Sequence, residues 1–279
     1  MQQRDEYPTG VPCWIDLEVA DPDAAAEFYG GLFGWSFQSR APESAPFRYL
    51  VGQLRGLDVA AIGSPSDDSG VTAQWRTWVA VASADDSAAL VRNNGGELLS
   101  PPADIPGAGR SALCTDPAGA VFGLWEPHGT PGARIVNEPG SWNFSTLATK
   151  DVEAAADFYG AVFGWVARRL EMPDFTATML CRPGYGDWLA ERDPSPRERH
   201  ADDSIPEGFS DAVAWLEEDT GGPARWDITF AVGDADAIAA RGTELGGEVV
   251  SPPVEAGPTR VTVLRDPAGT TFTASHYRG

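Results

Sequence analysis

The sequence predicts an α+β fold built from two tandem modules. The stretch DPDAAAEFYGGLFGW at residues 21–35 returns as DVEAAADFYGAVFGW at 151–165, and DPAG at 116–119 returns at 266–269. Both repeats indicate a duplication, so a function has to be sought in what the two copies build together. We expect the modules to span residues 1–135 and 136–279, each with two strand–helix–three-strand units. The hydrophobic fraction of 42% is enough for a large core.

The chain is strongly acidic, with a formal net charge of −21 at pH 7. This charge repels phosphate backbones and argues against nucleic acid as a partner. It keeps the protein soluble, and it would also attract a cationic ligand. The ten tryptophans can serve as core residues or as flat binding surface in a concave site.

The chain is expected to be cytoplasmic, as a monomer or homodimer. It has no run of eighteen apolar residues that would predict contact with a membrane, and residues 1–10 lack the apolar centre of a signal peptide. The three cysteines, Cys13, Cys114 and Cys181, have no C-x-x-C spacing and are odd in number. Both features favour reduced thiols over a disulfide framework.

In the first module, residues 1–10 are expected to be a loose leader. Residues 12–20 predict a strand, with Ile15, Leu17 and Val19 on the core face and Trp14, Asp16 and Glu18 on the other. Asp21 is a favourable N-cap for a helix that ends at Gly34. The remaining predicted elements are strands at 36–38, 47–53, 59–62, 76–81, 111–114 and 121–125, a helix at 84–94 and an extended loop marked by Pro101, Pro102 and Pro106.

The second module repeats this order. Its predicted elements are helices at 151–163 and 235–245 and strands at 142–149, 166–170, 176–181, 188–190, 227–232, 261–264 and 271–275. The charged, proline-containing stretch 192–209 is an insertion. We interpret it as a surface loop, with a lid over a site as the alternative.

This pattern resembles the vicinal oxygen chelate superfamily, which includes glyoxalase I, bleomycin resistance protein and extradiol dioxygenases. The resemblance rests on the doubled D-x-x-x-A-x-x-F-Y-x-x-x-F-G-W signature and the doubled D-P-x-G turn, and it covers almost the whole chain. The residues of these motifs are most similar to those of tandem-duplicated actinobacterial members. The resemblance implies glyoxalase-like modules in which two βαβββ units form one curved mixed sheet, shaped as a cup.

In metal-using relatives, the resemblance places His, Glu or Gln ligands at fixed cup-facing positions. The first of those positions holds Trp14 in the first copy and Phe144 in the second. The next holds Arg76 (or Trp78, if the register shifts) and Asp227, and the last holds Gly123 and Thr273. Only Asp227 among them suits a divalent metal, whereas a catalytic metal takes about three protein ligands. His128, His200 and His276 lie at none of these positions. We therefore expect no metal and no other cofactor.

Strand alternation gives the residues that face the cup. The predicted ligand-binding set is Trp14, Asp16, Glu18, Arg76, Trp78, Gly123, Trp125, Phe144, Thr146, Asp227 and Thr273, with Val121, Thr229 and Thr271 on the same faces. Aromatic rings replace histidines, and Gly123 leaves room where a metal ligand would stand. The alternative is that Trp14, Trp78 and Phe144 plug the cup as core and that Asp227 pairs with Arg76 structurally. Asp16 and Glu18 would then be ordinary solvated carboxylates.

These features favour metal-independent binding of a planar aromatic natural product, and the acidity would suit a cationic one. Sequestration, self-resistance or delivery to a biosynthetic enzyme would follow. The alternative is a lyase, isomerase or oxygenase of secondary metabolism that uses Asp16, Glu18 or Asp227 as a general base, with or without a metal. A third interpretation is a plugged cup whose outer surface binds a protein partner.

Overall fold

The computed structural model describes residues 3–42, 45–65, 73–171, 176–192 and 208–278. Within these residues, sixteen strands form two eight-stranded sheets, one from each half of the chain. Apart from its ends, the insertion predicted at 192–209 lies outside the described residues.

The first sheet has the strand order β2-β3-β4-β1-β5-β8-β7-β6. Its strands are β1 (Pro12–Glu18), β2 (Ser36–Ser39), β3 (Tyr49–Leu54), β4 (Leu57–Gly63), β5 (Gln74–Ala80), β6 (Glu97–Ile105), β7 (Gly109–Thr115) and β8 (Val121–Pro127). Helix α1 (Pro22–Phe33) follows β1, and α2 (Ala84–Asn93) follows β5.

The second sheet repeats this order as β10-β11-β12-β9-β13-β16-β15-β14. Its strands are β9 (Ser141–Thr149), β10 (Val166–Glu171), β11 (Thr176–Cys181), β12 (Ala212–Glu218), β13 (Arg225–Ala231), β14 (Glu248–Ala256), β15 (Thr259–Arg265) and β16 (Thr271–Tyr277). The helices of this half are α3 (Val152–Phe163), α4 (Tyr185–Arg192) and α5 (Ala235–Glu244), with a 3-10 turn at Phe209–Asp211.

Each sheet joins two units at its centre. β1 runs parallel to β4 of its own unit and antiparallel to β5 of the next, and β9 is placed in the same way between β12 and β13. The predicted pair of βαβββ units per curved sheet is therefore confirmed.

The first helix of each half begins and ends where the sequence predicts. Asp21 and Asp151 cap α1 and α3, because their carboxylates accept the backbone N–H groups of Ala24 at 3.0 Å and Ala154 at 2.9 Å. Gly34 follows α1 with φ at 74°, a left-handed conformation that favours glycine.

Both of these helices pack on the opposite half. In α1, the ring centroids of Phe28 and Tyr29 lie 6.4 and 5.6 Å from that of Phe272 in β16. In α3, Phe158 and Tyr159 contact Phe122 of β8 in the same manner, at 6.1 and 5.6 Å. The halves therefore share two hydrophobic cores, each with residues from both sheets.

The N-terminal residues are not the loose leader that we predicted. Gln3 forms a β-bridge with Ile135, and the Tyr7 hydroxyl donates a 2.7 Å hydrogen bond to the carbonyl of Ala133. We call residues 3–10 the N-terminal strap, because they cross from the first sheet to the second half.

Two element predictions were wrong. Pro101 and Pro102 lie inside β6, which is an edge strand and so tolerates residues that cannot donate to a ladder. The strand predicted at 188–190 belongs to α4, where the Arg192 guanidinium lies over the Trp188 ring one helical turn away, at 4.0 Å. The strand that takes its place in the sheet is β12, beyond the insertion, and the edge strand β14 was not predicted either.

The three cysteines are free thiols and buried. In the part of the chain that the structure describes, no helix has the length and apolar character needed to cross a membrane.

Candidate functional site

The strand registers show which residues correspond across the two concave faces. Trp14 pairs with Trp78, which pairs with Gly123. The equivalent positions in the second sheet are Phe144, Thr229 and Thr273, paired in the same order. Ser275 takes the place of Trp125, and Trp215 takes the place of Ala61. The predicted ligand-binding residues therefore divide between two sheets.

In the first sheet, a large side chain occupies the place beside Gly123. A Cβ atom added to Gly123 would lie 2.0 Å from Cε3 of the Trp78 indole. The room that we predicted at this glycine is therefore filled, and glycine is needed there so that the indole can lie flat on the strand.

Trp125 packs in a similar way. A Cβ atom added to Gly109 would lie 2.8 Å from its Cζ2 atom, and its Nε1 donates to the carbonyl of Thr130 at 2.8 Å. Trp14 donates from Nε1 to the Tyr49 hydroxyl at 3.0 Å. The arrangement of these rings favours the plugging alternative for this face.

The charged residues of the first face form one ion-pair network. Arg76 donates to both carboxylate oxygens of Asp16, at 2.8 and 3.1 Å, and to Glu18 at 2.7 Å. Asp16 is 1% exposed and Arg76 8%. The alternative prediction, in which Arg76 pairs with Asp227, is therefore wrong, because Arg76 pairs with Asp16 and Glu18. A bidentate pair this buried leaves Asp16 little freedom to act as a base.

In the second sheet, small polar side chains leave the corresponding space open. Thr229, Thr273 and Ser275 replace the two tryptophans and the glycine, and a cleft of about 2350 Å³ lies over this face. Ligand pockets typically measure about 300–1000 Å³, so this cleft has room for a large organic molecule. Phe144, Thr146, Asp227 and Thr273 of the predicted set line it.

Three aromatic side chains form one wall of the cleft, which we call the aromatic wall: Phe144, Phe209 and Trp215. The Phe144 ring centroid lies 5.9 Å from that of Trp215 and 6.2 Å from that of Phe209. All three are half-buried and contact a small core of Met179, Cys181 and Ala212.

Sequence reasoning missed Phe209 and Trp215. Phe209 lies at the end of the insertion, and Trp215 lies in β12, which was not predicted. The short continuous apolar run AVAWL at 212–216, between Asp211 and Glu217, is the signal that would have suggested this strand.

Asp227 is a half-buried carboxylate that lines this cleft. Its partner is Arg225, whose Nε donates to it at 3.1 Å while Nη1 donates to Asp219 at 2.7 Å. Burial raises the pKa of Asp227 despite the opposing charge of Arg225. Asp227 is therefore the one predicted catalytic carboxylate that lines the open cleft.

The residues at the family's ligand positions do not fit a divalent metal. The Phe144 ring packs on Trp215, and the Trp78 indole fills the place beside Gly123. Within the described ranges, no group of three His, Cys, Asp or Glu side chains is placed to hold a metal ion. Asp227 is the one carboxylate at these positions, which falls short of the three or so protein ligands that a catalytic metal takes.

Comparisons with known proteins agree with this architecture. The chain is 33% identical over 275 residues to the "Putative glyoxylase CFP32" of Mycobacterium bovis, covering 98% of this chain and 97% of that one. It is 31% identical over 285 residues to the anthracycline biosynthesis protein DnrV of Streptomyces peucetius, covering 98% and 95%.

Among solved structures, the Mn(II)-bound glyoxalase from Novosphingobium aromaticivorans superposes with a TM-score of 0.61 at 14% identity, over 96% of this chain and 82% of that one, which shows a shared fold. The family model of the glyoxalase-like domain matches residues 14–125 and 145–275. The chain belongs to the glyoxalase-like domain family, with two copies of the domain in tandem.

Proposed function

We propose that the cleft of the second sheet binds a planar aromatic natural product without a metal, for sequestration, self-resistance or delivery to a biosynthetic enzyme. The observation that carries this proposal is the contrast between the two faces. Where the first sheet holds Trp78 over Gly123, the second holds Thr229 and Thr273 beside the aromatic wall.

The chemistry of the cleft suits a flat ring system. A planar ligand can stack on the half-buried faces of Phe144, Phe209 and Trp215, and aromatic pairs of this kind gain about 0.5–1.5 kcal/mol beyond the area that they bury. Threonine hydroxyls on the opposite side, at positions 229, 271 and 273, offer hydrogen bonds to carbonyl or hydroxyl groups of the ligand.

The relatives support the same class of ligand. DnrV of Streptomyces peucetius is named as an anthracycline biosynthesis protein and matches this chain almost from end to end. Anthracyclines contain planar fused rings, so a role in the metabolism of such compounds is consistent with an aromatic, open cleft.

Asp227 favours a second candidate function. A carboxylate with a raised pKa that lines a large cleft is suited to proton transfer, which a lyase or isomerase acting on a bound polyketide-like molecule would need. Under this alternative, Asp227 is the general base. Asp227→Asn would then abolish turnover while leaving ligand affinity within a few-fold.

The location of the site is tested by titrating EDTA-dialysed protein with an anthracycline and a neutral anthraquinone, followed through the fluorescence of the ligand. Phe144→Ala and Trp215→Ala are expected to weaken binding about tenfold or more, because each removes a stacking surface. Trp14→Phe changes the equivalent position of the filled sheet and serves as the control. Equal affinities for wild type, Phe144→Ala and Trp215→Ala would place the ligand elsewhere.

A further inference from the structure

Arg4 is a buried cation that forms no ion pair with any residue described by the structure. It belongs to the N-terminal strap, is 7% exposed and lines the cleft of the second sheet. Its buried Nε atom has no hydrogen-bond partner. Among the described residues, no carboxylate forms a salt bridge with its guanidinium. Buried charges are normally paired, because removing a cation from water is costly.

The two carboxylates next to Arg4 in the chain are already engaged by other arginines. Asp5 pairs with Arg134 and Glu6 with Arg192, each at 2.5 Å. Glu138, which also lines the cleft, pairs with Arg55. Although the chain has a net charge of −21, the described part of it supplies no anion to the buried guanidinium of Arg4.

The backbone around Arg4 holds it firmly in this place. Its N–H donates to the carbonyl of Arg134 at 2.9 Å, and its own carbonyl accepts from Nε of Arg134 at 2.9 Å. The two neighbouring ion pairs, through Asp5 and Glu6, tie the strap to the linker between the halves and to α4. Arg4 is therefore positioned before any ligand arrives, which lowers the entropic cost of binding.

A tyrosine of α4 lies close to the same guanidinium. Burial raises the pKa of Tyr185, and the positive charge of Arg4 opposes this rise with a smaller effect. Tyr185 therefore keeps its proton at neutral pH. Among the described residues, its hydroxyl has no hydrogen-bond acceptor, and its side chain lines the cleft with Arg4. By contrast, the nearby Tyr7 already donates to the carbonyl of Ala133.

We propose that Arg4 and the Tyr185 hydroxyl bind an anionic oxygen of the aromatic ligand, a carboxylate or an ionised phenol, at the strap end of the cleft. A guanidinium gives two parallel donors to a carboxylate, and Tyr185 adds a third. This inference rests on the proposed function and specifies it further. The aromatic wall takes the rings, and Arg4 selects ligands that carry a negative oxygen despite the acidic surface.

The test uses two probes of the same shape, anthraquinone-2-carboxylate and anthraquinone-2-carboxamide, titrated at pH 7 into the full chain. Wild type is expected to bind the carboxylate about tenfold or more tightly than the carboxamide, as is typical of hydrogen bonds to charged groups. Arg4→Gln should remove this preference and leave carboxamide affinity within about twofold, and Arg4→Lys should restore part of it.

Arg110→Gln is the matched control, since it makes the same change in net charge on a half-buried arginine of the first sheet that does not line the cleft. It should keep the preference. Equal affinity of wild type for both probes, or a preference that persists in Arg4→Gln, would overturn the inference. If Arg4→Gln proves unstable, the wild-type pair still decides, because only carboxylate binding should weaken as NaCl is raised.

The outcomes also separate this inference from the proposed function. If both probes bind equally and Trp215→Ala weakens both, the aromatic cleft stands and the role of Arg4 fails. If neither probe binds wild type, the proposed function fails together with the inference.

Discussion

The hydroxyl of Tyr29 in the first half donates a 3.0 Å hydrogen bond to the buried carboxylate of Asp266 in the second. Tyr159 makes the equivalent bond to Asp116 at 3.2 Å. Each aspartate uses its other oxygen to accept backbone N–H groups of its own D-P-A-G turn. The two repeated motifs of the sequence therefore meet in the structure, the helix motif of one copy against the turn motif of the other.

The tryptophans that end the two F-G-W motifs, Trp35 and Trp165, also form hydrogen bonds with the opposite copy. Trp35 donates from Nε1 to the carbonyl of Gly140, just before β9, and Trp165 donates to Gly10, just before β1. Each copy thus holds the entry to the first strand of the other. This reciprocal arrangement explains why the helix motif and the turn occur together in both halves.

Loss of the Tyr29 hydroxyl should destabilise the protein. Tyr29→Phe leaves one oxygen of Asp266 and Nε1 of Trp75 without their hydrogen bonds in the core. We expect the free energy of unfolding to fall by about 1–3 kcal/mol, measured by urea denaturation. Tyr277→Phe, at an exposed site, should change it by less than about 0.5 kcal/mol. Equal stability of the two variants would contradict the inter-copy role.

Gly123→Ala should destabilise the first sheet. The added methyl group meets the Trp78 indole, and overpacking of this kind costs about 1–3 kcal/mol. Adding Trp78→Thr to Gly123→Ala should restore part of the lost stability, since two small side chains then face each other, as Thr229 and Thr273 do in the second sheet. Gly233→Ala is the control, because its added Cβ has no atom within 4 Å. If Gly123→Ala has the same Tm as wild type, the Trp78 indole does not fill the space beside Gly123.

The filled arrangement can be transplanted into the open cleft. Thr229→Trp together with Thr273→Gly reproduces the pair Trp78 and Gly123 at equivalent positions. We expect this double variant to fold and to lose affinity for an anthraquinone about tenfold or more, because the indole would occupy the ligand's space. Isothermal titration calorimetry measures this loss, and binding at wild-type strength would show that the ligand does not enter here.

Asp227 should give stability a pH dependence of a definite sign. Its pKa is raised above the ordinary value of about 3.9, so the folded state holds a proton that the unfolded state has lost. Wild type therefore loses stability as pH rises through that window. Relative to wild type, Asp227→Asn should gain stability as pH rises from about 4 through the raised pKa of Asp227.

Asp219 is a control for which the pH dependence of stability should have the opposite sign. Hydrogen bonds from Arg225 lower the pKa of Asp219, so its carboxylate contributes stability above about pH 3.9 that is lost as pH falls through the lowered pKa. Relative to wild type, Asp219→Asn should lose stability as pH rises through about 4. Trends of the same sign in the two variants would disprove this assignment of the charges.

The sequence predicts the fold well because its signals are local. An N-cap such as Asp21 and a terminating glycine such as Gly34 act within a few residues of their helix. Strand alternation likewise places Trp14 and Phe144 at equivalent positions on the two concave faces.

The candidate site is less predictable because it depends on contacts between distant segments. Whether Gly123 creates space or accepts a ring is decided by Trp78 on the neighbouring strand. Arg4 reaches the cleft only because the N-terminal strap crosses to the second half. Trp215 can be assigned to the cleft only when β12 is recognised as a strand beyond the insertion. None of these relationships leaves a periodic pattern in the chain.

The central claim is that the open cleft of the second sheet binds an aromatic ligand without a metal. The most direct measurement is a calorimetric titration of EDTA-dialysed wild type with anthraquinone-2-carboxylate, repeated after addition of Mn²⁺. We expect saturation at one ligand per chain, with the same affinity in both titrations. Binding that requires Mn²⁺, or two ligands per chain, would contradict it.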